Sequence, residues 1–207
     1  MALKYGSASQ VAAYCGYDTS DTALLAEVTL ALGFIEEEID AYCGTTFQAE
    51  TGVSYVYNGN GTPVLSLGKY LRTLTSAYIL DNTGARFLLL TDITAQPKPS
   101  RLGVYRWLEL KKTYDSKTLY NQVFTLGLGN IEVTGDWGFT TIPNTIIAAE
   151  ALCVKHWFNM RNLDALRAQE FSAGRNVVNI GMKDYHYLHP IAMKMLDKYT
   201  NSRALSE

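Results

Sequence analysis

Residues 129–161 read GNIEVTGDWGFTTIPNTIIAAEALCVKHWFNMR, and this stretch decides the fold. Ile131 and Val133 alternate as in a half-buried strand. Gly135, Asp136, Trp137 and Gly138 then predict a sharp glycine-rich turn. Pro143 opens a helix, because a proline in the first helical turn gives up an N–H that has no intrahelical partner there. Behind it Ile147, Ala151, Val154 and Phe158 recur at helical spacing, with Ile146, Cys153 and Trp157 as a flanking row. A stripe that wide belongs to a core helix. The reading is a late strand bolted to a long helix, with the turn from Gly135 to Pro143 as the hinge between them.

Upstream, Ser7 followed by Gln10 fits a capping box, and Gly16 closes a short first helix carrying Val11, Tyr14 and Cys15. Asp18 or Ser20 is the expected cap of a second helix. Its apolar positions Leu24, Val28, Leu32, Ile35, Ile39 and Tyr42 keep a helical period, and Gly44 is the natural stop. The same spacing puts Glu27, Glu36, Glu37 and Asp40 away from the stripe, which makes one side acidic.

Between residues 51 and 134 the pattern changes to short runs of Val, Tyr, Thr, Leu and Ile punctuated by Gly, Asn and Pro, which is β territory. SYVYNGNGTPVLSL reads as two strands joined at Asn58 to Gly61, and TLTSAYILDNTGARFLLL as two more joined at Asp81 to Gly84. GVYRWLELKK is a strand covered on part of both faces, AQPKPSRLG an exposed loop, and the strand of the opening stretch closes the sheet. After the long helix, a polar stretch from Asn162 leads to a final short helix opened by Pro190. Helices segregated from a block of antiparallel strands predict an α+β fold. The expected organisation is a single domain over residues 1–161, β-rich over about 51–134, with a C-terminal arm over 162–207.

Composition excludes several function classes. With 18 basic and 20 acidic residues the net charge is −2, so no monomer-wide positive field is available to hold nucleic acid. Cys15, Cys43 and Cys153 are three, odd in number and far apart in apolar patterns, which fits reduced packed thiols and a cytoplasmic setting. No segment has the length of uninterrupted apolar sequence that a membrane span or export signal needs. The 14 tyrosines suit protein–protein contacts, being aromatic with one wet edge.

No constellation for catalysis or cofactors emerges. Cys153 with His156, and His186 with His189, have the spacing of ligand pairs but no third or fourth partner for zinc. The glycines of Gly127–Gly129 and of NGNG do not open a helix behind a buried parallel strand, as a phosphate-binding loop requires. No nucleophile, base and orienting group occur together, so the expectation is a protein that is not an enzyme and takes no cofactor or metal.

Four parts in order carry a family resemblance: SASQVAAYCGY; IEEEIDAYCGTTF; VYNGNGTPVLSLGKYLRTLTSAYILDNTG; and IEVTGDWGFTTIPNTIIAAEALCVKHWF. Together they resemble the head-to-tail connector (adaptor) proteins of tailed double-stranded DNA bacteriophages, over most of the span from Ser7 to Phe158. The resemblance implies a structural virion protein, with about a dozen copies forming a ring beneath the portal protein. Such a ring would link the capsid to the tail, receive a neck or tail-completion protein, and let DNA pass without specific binding. It also implies assembly in the host cytoplasm, residence at the head–tail joint and no role in a membrane.

Within that frame, Glu36, Glu37 and Asp40 are the candidate channel-facing acidic side, since acidic walls let DNA slide. The candidate portal contact is the arm, through Val177, Val178, Ile180, Tyr185, Tyr187, Leu188, Ile191, Met195 and Tyr199. Two alternatives stand beside it. One is another phage neck or tail ring protein, a stopper or tail terminator. The other is a carbohydrate-binding module in which Tyr55, Tyr57, Tyr105 and Trp107 stack a sugar.

Overall fold

The computed structural model describes residues 3–90, 93–97, 102–110, 113–115, 118–120, 123–172 and 188–200. Of the arm, Val177, Val178, Ile180, Tyr185 and Tyr187 lie outside the described residues. The fold is α+β, and the chain divides into two compact units, residues 1–44 with 142–207 and residues 45–141.

The first unit is helical: α1 (Ala8–Cys15), α2 (Thr22–Cys43), α3 (Asn144–Ser172) and α4 (Pro190–Leu196), the last running into a 3₁₀ turn at Asp197–Tyr199. Ser7 Oγ accepts from the Gln10 N–H, and Gly16 and Gly44 end α1 and α2 with φ of 78° and 65°, which glycine adopts without steric cost. Asp21, and not Asp18 or Ser20, caps α2 by accepting from the N–H groups of Ala23 and Leu24. Asp18 is used in the preceding turn, where it holds the N–H and hydroxyl of Ser20. Val28, Leu32, Ile35 and Ile39 of α2 are buried as the stripe requires, as are Ile146, Ile147, Ala151, Cys153 and Val154 of α3.

The second unit is a six-stranded antiparallel sheet: β1 (Glu50–Gly59), β2 (Val64–Leu80), β3 (Arg86–Leu89), β4 (Ile93–Gln96), β5 (Tyr105–Leu110) and β8 (Gly127–Trp137). A separate two-stranded ribbon joins β6 (Thr113–Asp115) to β7 (Thr118–Tyr120). The order along the large sheet is β1-β8-β2-β5-β4, with β3 paired to the far end of β2.

The sheet departs from the sequence expectation in two respects. The Asn58–Gly61 connection does not make a hairpin, because β8 inserts between β1 and β2 and pairs with both. The late strand is therefore interior and does not close an edge.

The turn is corrected as well. Gly135, Asp136 and Trp137 belong to β8, whose odd-numbered residues from Ile131 to Trp137 are buried, and only Gly138 turns, with φ of 70°. Gly135 is needed for close approach: a Cβ there would sit 2.2 Å from the Thr73 carbonyl oxygen of β2 and 2.8 Å from Leu71 Cδ1. The Asp81–Gly84 hairpin does form, Asp81 accepting from the N–H groups of Thr83 and Ala85.

The core of the sheet is Leu65, Leu67, Leu71, Ala77, Leu108, Leu110, Phe124, Ile131, Val133 and Trp137. On the opposite face of β8 the polar side chains find partners: Glu132 with Arg86, Thr134 with Ser54, and Asp136 with the Gly52 N–H.

Candidate functional site

In the helical unit the acidic residues of α2 part company. Glu37 is exposed together with Glu38. Glu36, expected on the same outward side, is instead 2% exposed, because its Oε1 accepts the backbone N–H groups of Lys4 at 2.8 Å and Tyr5 at 3.0 Å. Asp40 is half-buried, bonded to Lys4 Nζ at 2.8 Å and to the Tyr5 hydroxyl. The segment ahead of α1 thus covers two of the three carboxylates, and burial pushes the Glu36 carboxyl up. Glu27, farther up the helix, pairs with Arg161 at 2.9 Å.

Beside this cluster lies Glu150 of α3, which is 0% exposed. Neither carboxyl oxygen makes a hydrogen bond of ordinary geometry, the Gly6 N–H offering only a weak offset. Burial, then the charge of Glu36, push its pKa up to about 8. A signal for it exists in the sequence: position 150 falls between Ile146 and Ile147 on one side and Cys153 and Val154 on the other, so a carboxyl stands in the middle of the apolar stripe.

The end of the helical unit is docked by its own apolar groups. Leu188 and Tyr199, read as candidate portal contacts, are 6% and 2% exposed, so their apolar area is spent within the unit. Met195 is half-buried and Ile191 is 56% exposed. Lys198 Nζ reaches Thr145 Oγ1 at 3.1 Å, and the Tyr42 hydroxyl donates to Asp197 at 2.5 Å.

The Cys153 sulfur accepts the His189 N–H at 3.4 Å. Burial raises its thiol to about 11, which keeps it protonated and unsuited to attack. The rings of His156 and His189 meet edge to face at 5.3 Å, and His189 Nδ1 caps α4 by accepting from the Ile191 N–H. Among the described residues no group of three or more His, Cys, Asp or Glu could hold a metal ion, and no helix is long and apolar enough to cross a membrane.

In the sheet unit, the aromatics proposed to stack a sugar are engaged elsewhere. Tyr55 and Tyr57 lie against Trp137, with ring centroids 5.1 and 6.2 Å away, and the Tyr55 hydroxyl donates to Glu50 at 2.5 Å while Lys69 stands over its ring. Tyr105 and Trp107 are half-buried in β5.

Both units also leave large apolar side chains wet. On α2, Leu30 and Phe34 stand one turn apart at 58% and 52% exposure. On β3, Phe87, Leu88 and Leu89 are exposed in succession, so the strand is apolar on both faces and bare on both. Near the start of β8, Leu126 and Leu128 are exposed together with Val56 of β1. Apolar groups concentrated in this way mark contact surfaces more often than isolated ones do. Sequence periodicity identified the strand and helix that carry them but gave no sign that they stay uncovered.

Compared with solved structures, the chain is similar over 100% of its length to a chain described as "Neck of empty GTA particle computed with C6 symmetry", at a TM-score of 0.53, 11% identity and 96% coverage of that chain. A second, described as "Neck of native GTA particle computed with C12 symmetry", has 13% identity and the same two coverages at a TM-score of 0.41. At these identities the likeness is one of fold. No family model matches the sequence. No curated protein matches it either.

Proposed function

We propose that the chain is a structural subunit of the neck of a phage-like particle, acting as a head-to-tail connector in a ring beneath the portal. The observation that carries the reading is the end-to-end likeness of fold to a neck chain, with nearly all of both chains covered. The four sequence parts that resemble connector proteins point the same way from independent grounds. So do the bare apolar side chains of α2 and β3, which a protein working alone has no reason to keep wet.

On this reading about a dozen copies close a ring by a heterologous contact, in which two different surfaces of the same chain meet. A ring multiplies a net charge of −2 into a negative collar, and DNA slides past a wall that repels it. Of the acidic set, Glu37 has its carboxylate in solvent and is the group proposed for that wall, with Glu38 beside it. The portal contact is proposed for Ile191 and for the arm residues Val177, Val178, Ile180, Tyr185 and Tyr187. The particle is the proposed location, after assembly in the host cytoplasm.

Negative-stain images of the purified protein mixed with purified portal test the reading. Rings stacked on the portal are expected. Rings that join only to tail-completion proteins would assign the chain to another tier of the neck. Replacing residues 175–187 by a glycine-serine linker of equal length leaves Leu188 and Tyr199 in place and should abolish portal joining. Unimpaired joining removes the arm from the contact.

A further inference from the structure

The segment Leu3–Gly6 is fastened to the helical unit at a cluster of acids. Glu36 accepts the N–H groups of Lys4 and Tyr5, and Asp40 takes the Lys4 ammonium and the Tyr5 hydroxyl. Gly6 presses on the carboxyl of Glu150 so closely that a Cβ there would lie 2.6 Å from Oε2, with Val11 and Ile147 filling the remaining space. Glu150 is fully enclosed and lacks a well-made hydrogen bond on either oxygen.

The charges of Glu36 and then Asp40 on α2 raise this carboxyl, and the Gly6 backbone of the leading segment opposes them. Cys153 on α3, which takes the His189 N–H at the start of α4, is protonated, and Cys15 of α1 bonds the neighbouring Ala151 carbonyl. Lys4, the cation of the leading segment, is already engaged with Asp40. A neutral carboxylic acid fits this enclosure, whereas a second carboxylate beside Glu36 would be buried without a counter-charge.

We propose that Glu150 is the proton sensor of a latch: the segment Leu3–Gly6 closes over its protonated carboxyl and is released when that carboxyl ionises. Closing the segment excludes water from the carboxyl, and opening restores it. An acid whose proton affinity is raised in the closed form favours closure fully below its ordinary value of 4.5, and that preference is lost as pH rises to about 8. In between, the opening constant increases about tenfold per pH unit, and above about pH 8 it levels off. At neutral pH the latch is closed with the proton in place.

Amide hydrogen exchange of Lys4 and Tyr5, corrected for the intrinsic rate and followed from pH 5 to pH 9, tests this on the full chain. The expected wild-type profile climbs roughly a thousandfold between pH 5 and 8 and then flattens. Glu150→Gln cannot ionise, so its profile should lose most of the climb and keep only the shallower share set by Glu36, whose carboxyl burial also pushes up. Glu36→Gln removes the neighbouring charge and should move the levelling-off to lower pH. A flat wild-type profile, or an unchanged climb in Glu150→Gln, overturns the proposal. Should Glu150→Gln fail to fold, carboxyl carbon resonances of the wild type decide the matter. A Glu150 signal titrating near pH 8 supports the latch, and one titrating in the ordinary carboxylate range sinks it.

Discussion

The indole N–H of Trp137 donates to the backbone carbonyl of Val53 at 2.9 Å, tying the last residue of β8 to the early part of β1 on the buried side of the sheet. Trp137 is 1% exposed, and the rings of Tyr55 and Tyr57 close over it. One side chain therefore supplies a polar tie and an aromatic centre to the same strand pair. Trp137→Ala removes both and should cost about 3–5 kcal/mol, since truncating a buried tryptophan adds a cavity to the lost transfer energy. Trp137→Phe keeps most of the bulk but leaves the Val53 carbonyl without its donor, and should cost about 1–3 kcal/mol. Thermal unfolding followed by near-ultraviolet circular dichroism checks the order. Portal joining lost at unchanged stability would reassign Trp137 to a contact surface.

Gly135 and Gly16 make a paired test of two different uses of glycine. Gly135→Ala drives a Cβ into the Thr73 carbonyl at 2.2 Å, where backbone must move and the β2–β8 pair must part. Gly16→Ala meets open space, and its cost comes from φ of 78° alone. The expected losses are more than about 3 kcal/mol for Gly135→Ala and about 1–2 kcal/mol for Gly16→Ala. Urea midpoints measured on both proteins check the difference. Equal losses would mean that β8 can shift without harm to its partner.

These glycines also mark what could be read in advance. Ser7, Gly16, Gly44 and Pro143 act locally on the nearest turn of backbone, so a single sequence exposes their roles. The helical stripes of α2 and α3 were legible for the same reason. In sequence Gly135 reads as a turn, because a glycine beside Asp and Trp looks alike whether the chain bends or another strand comes close. The insertion of β8 between β1 and β2 is a pairing of residues some 80 positions apart, with register such as Val56 against Glu132, and nothing local encodes it. Glu36 looked outward because its cover is the segment before α1, which no periodicity within α2 reveals. Glu150 was visible as a carboxyl inside an apolar stripe, but only a structure shows that it has no well-formed hydrogen bond.

His156 offers an acid-side counterpart to the latch. Its ring meets edge to face, at 5.3 Å, the ring of His189, whose Nδ1 caps α4 by accepting the Ile191 N–H at 3.2 Å. Burial, then the neighbouring His189, hold the His156 imidazole below its ordinary 6.5. A base whose folded value is depressed contributes stability above 6.5, and that contribution is lost as pH falls through the folded value. Exchange of the Ile191 and Ala192 amides should therefore speed up as pH drops below about 6.5, after correction for the intrinsic rate. His156→Gln cannot take up this proton and should retain protection at low pH, whereas His189→Ala removes the cap and should lose about 1 kcal/mol of it at every pH. Acid sensitivity persisting in His156→Gln would move its source away from this imidazole.

At β3 assembly and stability can be separated. Phe87 of β3 is 76% exposed, Leu88 and Leu89 are about half exposed, and Arg86 beside them is already paired with Glu132 at 2.6 Å. The outer edge of β3 carries no strand in the described sheet, so backbone donors and acceptors accompany the bare apolar groups. Phe87→Ser with Leu89→Lys removes apolar area that the isolated chain does not bury, and should leave the unfolding midpoint within about 0.5 kcal/mol of wild type. If this edge meets a neighbouring copy in the ring, the same pair of changes should prevent ring formation on portal in negative-stain images. Phe34→Glu, made alone on α2, asks the same question of the helical unit. Rings that form normally with both surfaces altered would exclude β3 and α2 from the subunit contact, and would leave the exposed Val56, Leu126 and Leu128 as the next residues to change.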